Sequence, residues 1–409
     1  MLPTPRRLVA TVVLATVALG AAGCSSAGSS ASSDALTFWA YEPNSKAQKA
    51  SLEELIAGFE DANDVDVKVT YVPKDGFNTK LNSSIAVDRN PDVSYLDQPL
   101  IAKFAEDGIL LDLTDQLAAG IGSDSFYPGA MDTATVDGTV YGLPISMTTV
   151  ALAYNKALVD EAPTTWDEWL ASAKDVYVKD TIAAFEGIGS GSYSGWVFPA
   201  LVQSAGGSMV NADQTAVTFA EQPGIDAAEL LVELQTYSDQ AVRESQNAFG
   251  NGLVAYKIAG PWDVESLTTD FPDLDFGVAE IPAEKGHESS STMGGENLVV
   301  YANSTKQELA YEFAQYLTDA EGDAVMAGVT GNFAANVAAA ESLGYASDPE
   351  LGVFTTQLET AVARPTLTDW LKVNDEVIGA ALDSILVSGE DPTTVLTKAA
   401  ADADEILFG

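Results

Sequence analysis

The sequence predicts an α/β protein built from two lobes. The chain has 409 residues, of which 46% are hydrophobic, and a single hydrophobic core rarely grows beyond about 250–300 residues. Short apolar segments typical of strands alternate with segments that have the period of an amphipathic helix, and the second half of the chain repeats this alternation. Such alternation is typical of sheets covered by helices. We therefore expect two units of this kind.

The first predicted elements are a strand, a helix and a second strand. Residues 36–40 form a short apolar segment, as in a buried strand. Residues 65–71 alternate apolar and polar side chains, as in a half-buried strand. Between them, apolar side chains recur at the spacing of one helix face, namely Leu52, Leu55, Ile56 and Phe59. A helical connection favours a parallel pair of strands.

Turn and cap residues mark the elements that follow. A strand is predicted at residues 92–96, and Asp97-Gln98-Pro99 begins a helix that Gly108 ends. Asp137-Gly138 predicts a β-hairpin. The spacing of a capping box occurs twice, in Thr165 with Glu168 and in Thr305 with Glu308. Further helices are predicted at residues 226–238, 306–318 and 370–407, the last broken near 389–392.

Residues 1–23 have the pattern of a secretory signal peptide. Arg6 and Arg7 precede an uncharged apolar run at residues 8–22, which is too short for a bilayer span of about 20 residues. The only cysteine, Cys24, follows small residues and precedes a Ser/Ala/Gly tract, a pattern that resembles the bacterial lipobox. We predict lipidation at Cys24 and a flexible tether at residues 24–34. An ordinary signal peptide with an unmodified thiol is the alternative.

Charge and rare residues exclude several function classes. The formal charge is −41, from 19 basic and 60 acidic residues. Nucleic acids and anionic membrane surfaces bind through clustered Lys and Arg, so neither is expected as a partner of the folded surface. With one Cys and one His, the chain lacks the ligands of a Cys/His zinc site and cannot form an internal disulfide. We expect no cofactor and no metal.

No catalytic motif stands out. The glycine-rich segment at residues 187–192 lacks a following Lys and an obvious preceding strand, so it is predicted to be a loop rather than a phosphate cradle. His287 lies in a polar segment and is predicted to be exposed. Paired carboxylates are common in so acidic a chain and do not by themselves indicate a glycosidase.

Aromatic residues near strand ends are more informative. Sugars offer flat C–H faces bounded by hydroxyl groups, so a sugar site needs Trp or Tyr faces beside polar groups. Three segments combine an aromatic residue with a break in regular structure, and they contain Trp39, Trp196 and Trp262. Parallel α/β sheets bind ligands at such places, although core packing is the alternative for each Trp. Trp166 and Trp169, on one face of a capped helix, are assigned to the core.

Several motifs occur in the order found in a known family. The chain resembles the extracellular solute-binding proteins of bacterial carbohydrate ABC importers, the family of the maltose/maltodextrin-binding protein. The similar segments are residues 90–93 with 104–110, residues 136–144 with 153–156 and 163–168, residues 259–262, Gly294-Gly295, and residues 310–317.

The resemblance implies an α/β, two-lobed periplasmic-binding-protein fold with a crossover hinge and a ligand cleft between the lobes. Lobe 1 would contain residues 35–146 plus 296–342, and lobe 2 residues 147–295 plus 343–409. The resemblance also implies a set of ligand-binding residues in the cleft, which are Trp39, Tyr41, Glu42, Asp97, Trp196, Trp262, Asp263, Gly295, Glu296, Arg364 and Trp370.

The hypothesis from the sequence is a substrate-binding lipoprotein of an ABC transporter rather than an enzyme. It would capture a neutral oligosaccharide, maltodextrin-like or another plant- or host-derived one, and present it to the permease subunits. It would act as a monomer on the outer face of the bacterial cell membrane. The alternative is a secreted polysaccharide-degrading lipoprotein that uses paired carboxylates, and a surface adhesin is a third possibility.

Overall fold

The computed structural model describes residues 35–409. The predicted signal peptide at residues 1–23, the lipidation site Cys24 and the tether at residues 24–34 lie outside the described residues. The strands in chain order are β1 (Leu36–Tyr41), β2 (Val67–Val72), β3 (Val93–Asp97), β4 (Thr135–Val136), β5 (Thr139–Val140), β6 (Leu143–Pro144), β7 (Ala151–Asn155), β8 (Ala183–Phe185), β9 (Val254–Ala259), β10 (Phe276–Ala279), β11 (Ser291–Thr292), β12 (Glu296–Val300) and β13 (Ala361–Val362).

Helices cover the sheets. In chain order the α-helices are α1 (Lys46–Asn63), α2 (Lys74–Ile85), α3 (Pro99–Glu106), α4 (Thr114–Ala119), α5 (Pro128–Ala134), α6 (Trp166–Val176), α7 (Gly191–Ser204), α8 (Gln222–Thr236), α9 (Gln240–Arg243), α10 (Pro261–Asp270), α11 (Gln307–Thr318), α12 (Ala320–Thr330), α13 (Val337–Leu343), α14 (Leu351–Thr360), α15 (Trp370–Lys372), α16 (Gly379–Leu386) and α17 (Pro392–Phe408). Short 3₁₀ turns lie at Ser123–Ser125 and Tyr345–Ser347, and a π-helical segment lies at Val373–Ile378.

Two sheets define the two lobes. The first has the order β2-β1-β3-β12-β6, and the second has the order β10-β7-β9-β8. In the first sheet β1 is parallel to β2 and β3, whereas β12 is antiparallel to β3 and β6. The larger core cluster fills the first lobe and continues onto one face of the second sheet, and a second cluster covers the other face of that sheet. The predicted α/β class is confirmed.

The chain passes from one sheet to the other at residues 145–150 and again at residues 293–295. These two segments pair with each other, since the amide of Thr148 donates to the carbonyl of Gly294 over 2.9 Å and the amide of Gly294 donates to the carbonyl of Thr148 over 2.8 Å. After α13 the chain returns to the second lobe, where α14 packs on β7 and β10. The two lobes are therefore joined by three connecting segments, at residues 145–150, at residues 293–295 and after α13. These segments form the hinge.

Most local predictions are confirmed. The opening β1–α1–β2 unit is parallel in full register, and the Asp137-Gly138 turn has φ values of 50° and 80° and joins the antiparallel β4 and β5. Thr165 forms the predicted capping box. Trp169 is fully buried and Trp166 is 7% exposed, so both are core residues as expected.

One local prediction is wrong, and one premise of another is wrong. Thr305 does not cap α11, because the helix begins after Lys306, whose ammonium group donates instead to the carbonyl of Ala35 and lies 3.8 Å from Asp92. The glycine-rich segment is a loop up to residue 190, as predicted, and α7 begins at Gly191, but the segment does follow a strand. That strand, β8, has only three residues with two alanines, too short and too poor in β-branched side chains for its sequence to predict a strand.

Candidate functional site

A charged cluster lies where strands of the first sheet end. Asp97 is the last residue of β3 and Glu296 the first residue of β12, and the antiparallel register places them opposite each other. Parallel β1 ends beside them with Tyr41. Carboxyl ends of parallel strands share one edge of a sheet, and ligands bind outside that edge. The topology therefore brings three sequence-predicted residues to one edge of the first sheet.

The carboxylate of Glu296 is buried and has two partners. Lys74 Nζ donates to Glu296 Oε1 over 2.8 Å, and Ser146 Oγ donates to Oε2 over 2.9 Å. The side chain of Glu296 is 7% exposed, whereas that of Lys74 is 69% exposed. The negative charge of Glu296 raises the pKa of Lys74. The ammonium group therefore stays charged at an exposed position, with donors left for a further acceptor.

Asp97 is paired with an arginine from the other end of the chain. Arg364 donates from Nη2 to Asp97 Oδ1 over 2.5 Å and from Nη1 to Oδ2 over 3.4 Å. Such two-point pairing fixes the orientation of a carboxylate. The Arg364 side chain is 9% exposed and that of Asp97 is 23% exposed. Both acidic groups of the charged cluster are therefore ion-paired.

Tyr41 packs beside the Lys74 ammonium group of this cluster. Its ring packs edge-on against Phe77 and Tyr95, with centroids 4.7 and 5.1 Å away, and Lys74 Nζ lies 5.2 Å from its centroid. Burial raises the pKa of Tyr41 well above its usual range, and the negative charges of Glu296 and Asp97 add to the effect. The hydroxyl group therefore remains protonated and able to donate a hydrogen bond.

Three aromatic rings form a wall on the second lobe, which we call the aromatic wall: Tyr193, Trp196 and Trp262. The rings of Trp196 and Trp262 have centroids 6.1 Å apart and an interplanar angle of 38°. Tyr193 and Trp196 have centroids 5.8 Å apart. Tyr193 is 38% exposed and Trp262 is 37% exposed. Neighbouring aromatic rings that stay partly exposed to solvent are typical of a binding surface rather than a core.

The position of Trp262 follows from the start of α10. Helix α10 begins directly after β9, with Gly260 as its cap residue and Pro261 in its first turn. Asp263 Oδ2 accepts a 2.9 Å hydrogen bond from the amide of Gly260. Lys257 Nζ, on β9, lies 3.7 Å from Asp263 and donates to Glu186 over 2.7 Å. Burial raises the pKa of Asp263, although the charge of Lys257 opposes this shift.

The aromatic wall and the charged cluster both border the hinge segment at residues 294–296. A Cβ atom on Gly294 would lie 2.8 Å from Cζ2 of Trp196, so the indole edge lies against this backbone. Gly295 has φ of 146°, and a Cβ there would overlap the carbonyl oxygen of Ser146. Glu296 of the charged cluster is the next residue. Two adjacent glycines thus allow the second lobe's wall to approach the first lobe's ionic groups.

Trp39 and Trp370 lie elsewhere, and Glu42 directly follows Tyr41 of the charged cluster. Trp39 lies two positions before the end of β1 and faces α2, where Lys80 Nζ is 4.7 Å from its centroid. Trp370, the first residue of α15, is 1% exposed and belongs to the core cluster of the second lobe. Glu42 is exposed, and its amide donates to the carbonyl of Val72. The structure brings the remaining eight predicted residues to the hinge, the charged cluster or the aromatic wall.

The sequence reasoning did not select Lys74, Tyr193 or Glu186 as site residues. Lys74 follows β2 and Glu186 follows β8, so the rule that ligands bind beyond strand ends applies to both. Glu186 was not predicted because its strand, β8, is too short for the sequence to indicate it. Tyr193 lies three residues before Trp196 on α7, and helical spacing would have paired the two rings.

Residues 35–409 hold no cluster of three or more His, Cys, Asp or Glu side chains arranged for a metal ion. Within the same residues, no helix has the length and apolar composition of a membrane span.

Comparison with known proteins identifies relatives that are binding proteins. The family model described as bacterial extracellular solute-binding protein matches residues 54–353. A putative binding protein of Brucella abortus is 27% identical over 378 residues, covering 87% of this chain and 89% of the relative. A galactooligosaccharide-binding protein of Bacillus subtilis is 26% identical over 311 residues, covering 71% of this chain and 70% of the relative.

Among solved structures, the GacH receptor of Streptomyces glaucescens, determined without ligand and with acarbose, has a TM-score of 0.78 and 25% sequence identity. The match covers 91% of this chain and 98% of that one. This likeness confirms the two-lobed fold.

Proposed function

We propose, from the premise that this chain belongs to the family of bacterial extracellular solute-binding proteins, that it captures a neutral oligosaccharide between its lobes and presents it to the permease of an ABC importer. The ligand would be maltodextrin-like or another plant- or host-derived oligosaccharide. The protein would carry out no covalent chemistry. Its place would be outside the cytoplasm.

The observation that carries the proposal is the position of Trp196, whose indole edge lies against Gly294, two residues before Glu296 of the charged cluster. The wall offers apolar ring faces, and the cluster offers donors and acceptors, a combination suited to the C–H faces and hydroxyl groups of a sugar. We propose that Trp196, Trp262 and Tyr193 stack on sugar rings. Lys74, with Glu296 and Asp97, would bind hydroxyl groups.

The charge balance of the cluster supports a neutral ligand. Glu296 is paired with Lys74, and Asp97 with Arg364, so the two acids and two bases cancel formally. An unpaired buried charge would favour a ligand of opposite charge.

The relatives support a sugar without agreeing on which one, since one is named for galactooligosaccharides and another structure contains acarbose. A bound sugar would hold the lobes together, because a ligand that contacts both lobes favours the state in which both contacts exist.

The lobe boundaries and the anchor are part of the proposal. Lobe 1 comprises residues 35–146 plus 296–342, and lobe 2 comprises residues 147–295 plus 343–409. All five strands of the first sheet fall in the first set and all four strands of the second sheet in the second.

We also propose that the signal peptide is removed before Cys24 and that this residue carries the lipid that attaches the protein to the membrane. Mass spectrometry of the membrane-associated protein tests the anchor.

Isothermal calorimetry against a panel of ligands tests the function. The panel contains maltotriose, mannotriose, a galactotriose and acarbose, with an oligogalacturonate and a tripeptide as comparisons. We expect saturable heat with at least one neutral sugar and none with the comparisons. Heat with the tripeptide alone would overturn the sugar assignment. New reducing ends after incubation with polysaccharides would instead support the enzyme alternative.

A further inference from the structure

The segment of residues 363–369 touches both lobes. Its attachment to the second lobe uses Gln214, whose amide oxygen accepts from the amide of Thr366 over 3.0 Å and whose amide nitrogen donates to the Thr366 hydroxyl over 3.2 Å. Leu367 packs on the core cluster of that lobe, and the next residue after the segment, Trp370, is buried within it. The segment therefore moves with the second lobe.

The same segment has two polar contacts with the first lobe. Arg364 makes the two-point ion pair with Asp97 at the end of β3. Thr368 Oγ1 donates to Glu106 Oε2 over 2.7 Å, at the end of α3. Helix α15, which follows the segment, packs on α3. Both contacts join groups that would separate if the second lobe rotated away from the first.

The Arg364 side chain is placed to join the segment to the first lobe rather than to contact a ligand. It is 9% exposed, and its two terminal nitrogens already donate to Asp97, while Nη2 also lies 3.5 Å from Gln98 Oε1. Nε has no partner among residues 35–409. A guanidinium group held in this way has little surface left for a sugar hydroxyl, whereas it fixes the direction of the Asp97 carboxylate.

We propose that residues 363–369 form a strap between the lobes, in which Arg364 is a positioning residue that holds Asp97 and Thr368 is a second tie. The strap stabilises the arrangement in which the aromatic wall faces the charged cluster. Its role in ligand affinity rests on the proposed function, but its effect on lobe separation does not.

Distances between spin labels test the strap without a ligand. In the full chain with Cys24→Ser, labels at Val87→Cys and Val178→Cys report on the two lobes, since these residues are 60% and 52% exposed. We expect Arg364→Gln and Thr368→Val to broaden the distance distribution and shift it to longer distances. Arg364→Lys should have a smaller effect than Arg364→Gln, because Lys keeps the positive charge although it lacks the two-point geometry. Circular dichroism shows whether each variant is folded.

The matched control is Lys398→Gln. Lys398 also pairs with an aspartate, Asp402, but the pair is exposed and lies within α17. This variant should keep the wild-type distribution. An Arg364→Gln distribution that coincides with those of wild type and the control would overturn the strap.

Affinity provides a second readout. With the best sugar from the calorimetric panel, Arg364→Gln should bind about 10- to 100-fold more weakly, as expected for loss of a charge-assisted hydrogen-bonded pair. Weak binding with an unchanged distance distribution would overturn the strap and make Arg364 a ligand contact. If no sugar binds to the wild type, the proposed function fails while the label distances still decide the role of the strap.

Discussion

Replacing Trp262 by alanine should weaken sugar binding without unfolding the protein. The side chain is 37% exposed, and a Trp side chain buries about 150–250 Å² when fully covered. The part left for a ligand is therefore roughly 55–90 Å². At about 25 cal/mol per Å² this corresponds to about 1.4–2.3 kcal/mol, or about a 10- to 50-fold increase in Kd.

Calorimetric titration with the best sugar of the panel measures this change. Trp262→Phe should lose less than Trp262→Ala, because it keeps a ring beside Trp196. The control is Phe408→Ala, which truncates an aromatic side chain of similar exposure, 40%, at the end of the last helix. An unchanged Kd together with a lower melting temperature for Trp262→Ala would refute the reasoning, since Trp262 would then act only in packing.

Three further substitutions test other features of the fold. Asp323 is fully buried, it has no Lys or Arg partner among residues 35–409, and burial raises its pKa well above the usual value of 3.8. Its folded state therefore keeps a proton that the unfolded chain releases, so stability is lost as the pH rises from about 4 through the raised pKa. The melting temperature of Asp323→Asn should therefore increase relative to that of the wild type over this interval. Gly295→Ala should lower the free energy of unfolding by about 1–3 kcal/mol, because φ is 146° and a Cβ would overlap the carbonyl oxygen of Ser146, as urea unfolding can measure. Thr165→Ala should cost about 1 kcal/mol in the same assay, because Thr165 accepts the amide hydrogen of Glu168.

Controls and opposite outcomes are available for each. Asp273→Asn replaces an exposed aspartate and should leave the pH profile of melting unchanged, and a profile for Asp323→Asn parallel to that of the wild type would contradict a proton held at that site. Gly76→Ala should be neutral or stabilising, because Gly76 lies in α2 with open space around its Cβ position. Wild-type stability for Gly295→Ala would mean that the hinge backbone adjusts freely. A Thr165→Ala variant as stable as wild type would mean that Glu168 alone satisfies the helix end.

Local signals in the sequence were enough for elements whose partners are close in the chain. The β1–α1–β2 unit, the Asp137-Gly138 hairpin and the Thr165 cap each depend on residues fewer than about 40 positions apart, where periodicity and turn chemistry decide the structure. Thr305 shows the limit of such signals. Its spacing to Glu308 was correct. However, Lys306 contacts Ala35 and Asp92, which are distant in the sequence and so contribute to no local pattern.

The sequence predicted which strand ends border the candidate site better than it predicted which side chains reach the site. The family resemblance predicted Asp97, Trp262 and Glu296 as site residues. The antiparallel pairing of β12 with β3 places Glu296 opposite Asp97, and Trp262 follows the end of β9. Trp39 shows why residue type alone is insufficient. Alternation along β1 places its ring toward α2, whereas Tyr41, on the same face but at the last position of the strand, reaches the charged cluster. The pairing of Asp97 with Arg364 links positions 267 residues apart, and only the tertiary structure brings them together.

The position of β12 between β3 and β6 has a consequence for how this chain folds. The first sheet needs residues 296–300 to join strands that were synthesised long before, and the strands of the second sheet lie between them in the sequence. Until that segment emerges, β3 keeps one edge without a neighbour, and the first core lacks Leu298, Val299 and Val300, which are fully buried in it. Folding that depends on distant pairing is slow. A nascent chain of this topology therefore stays incompletely folded through most of its synthesis.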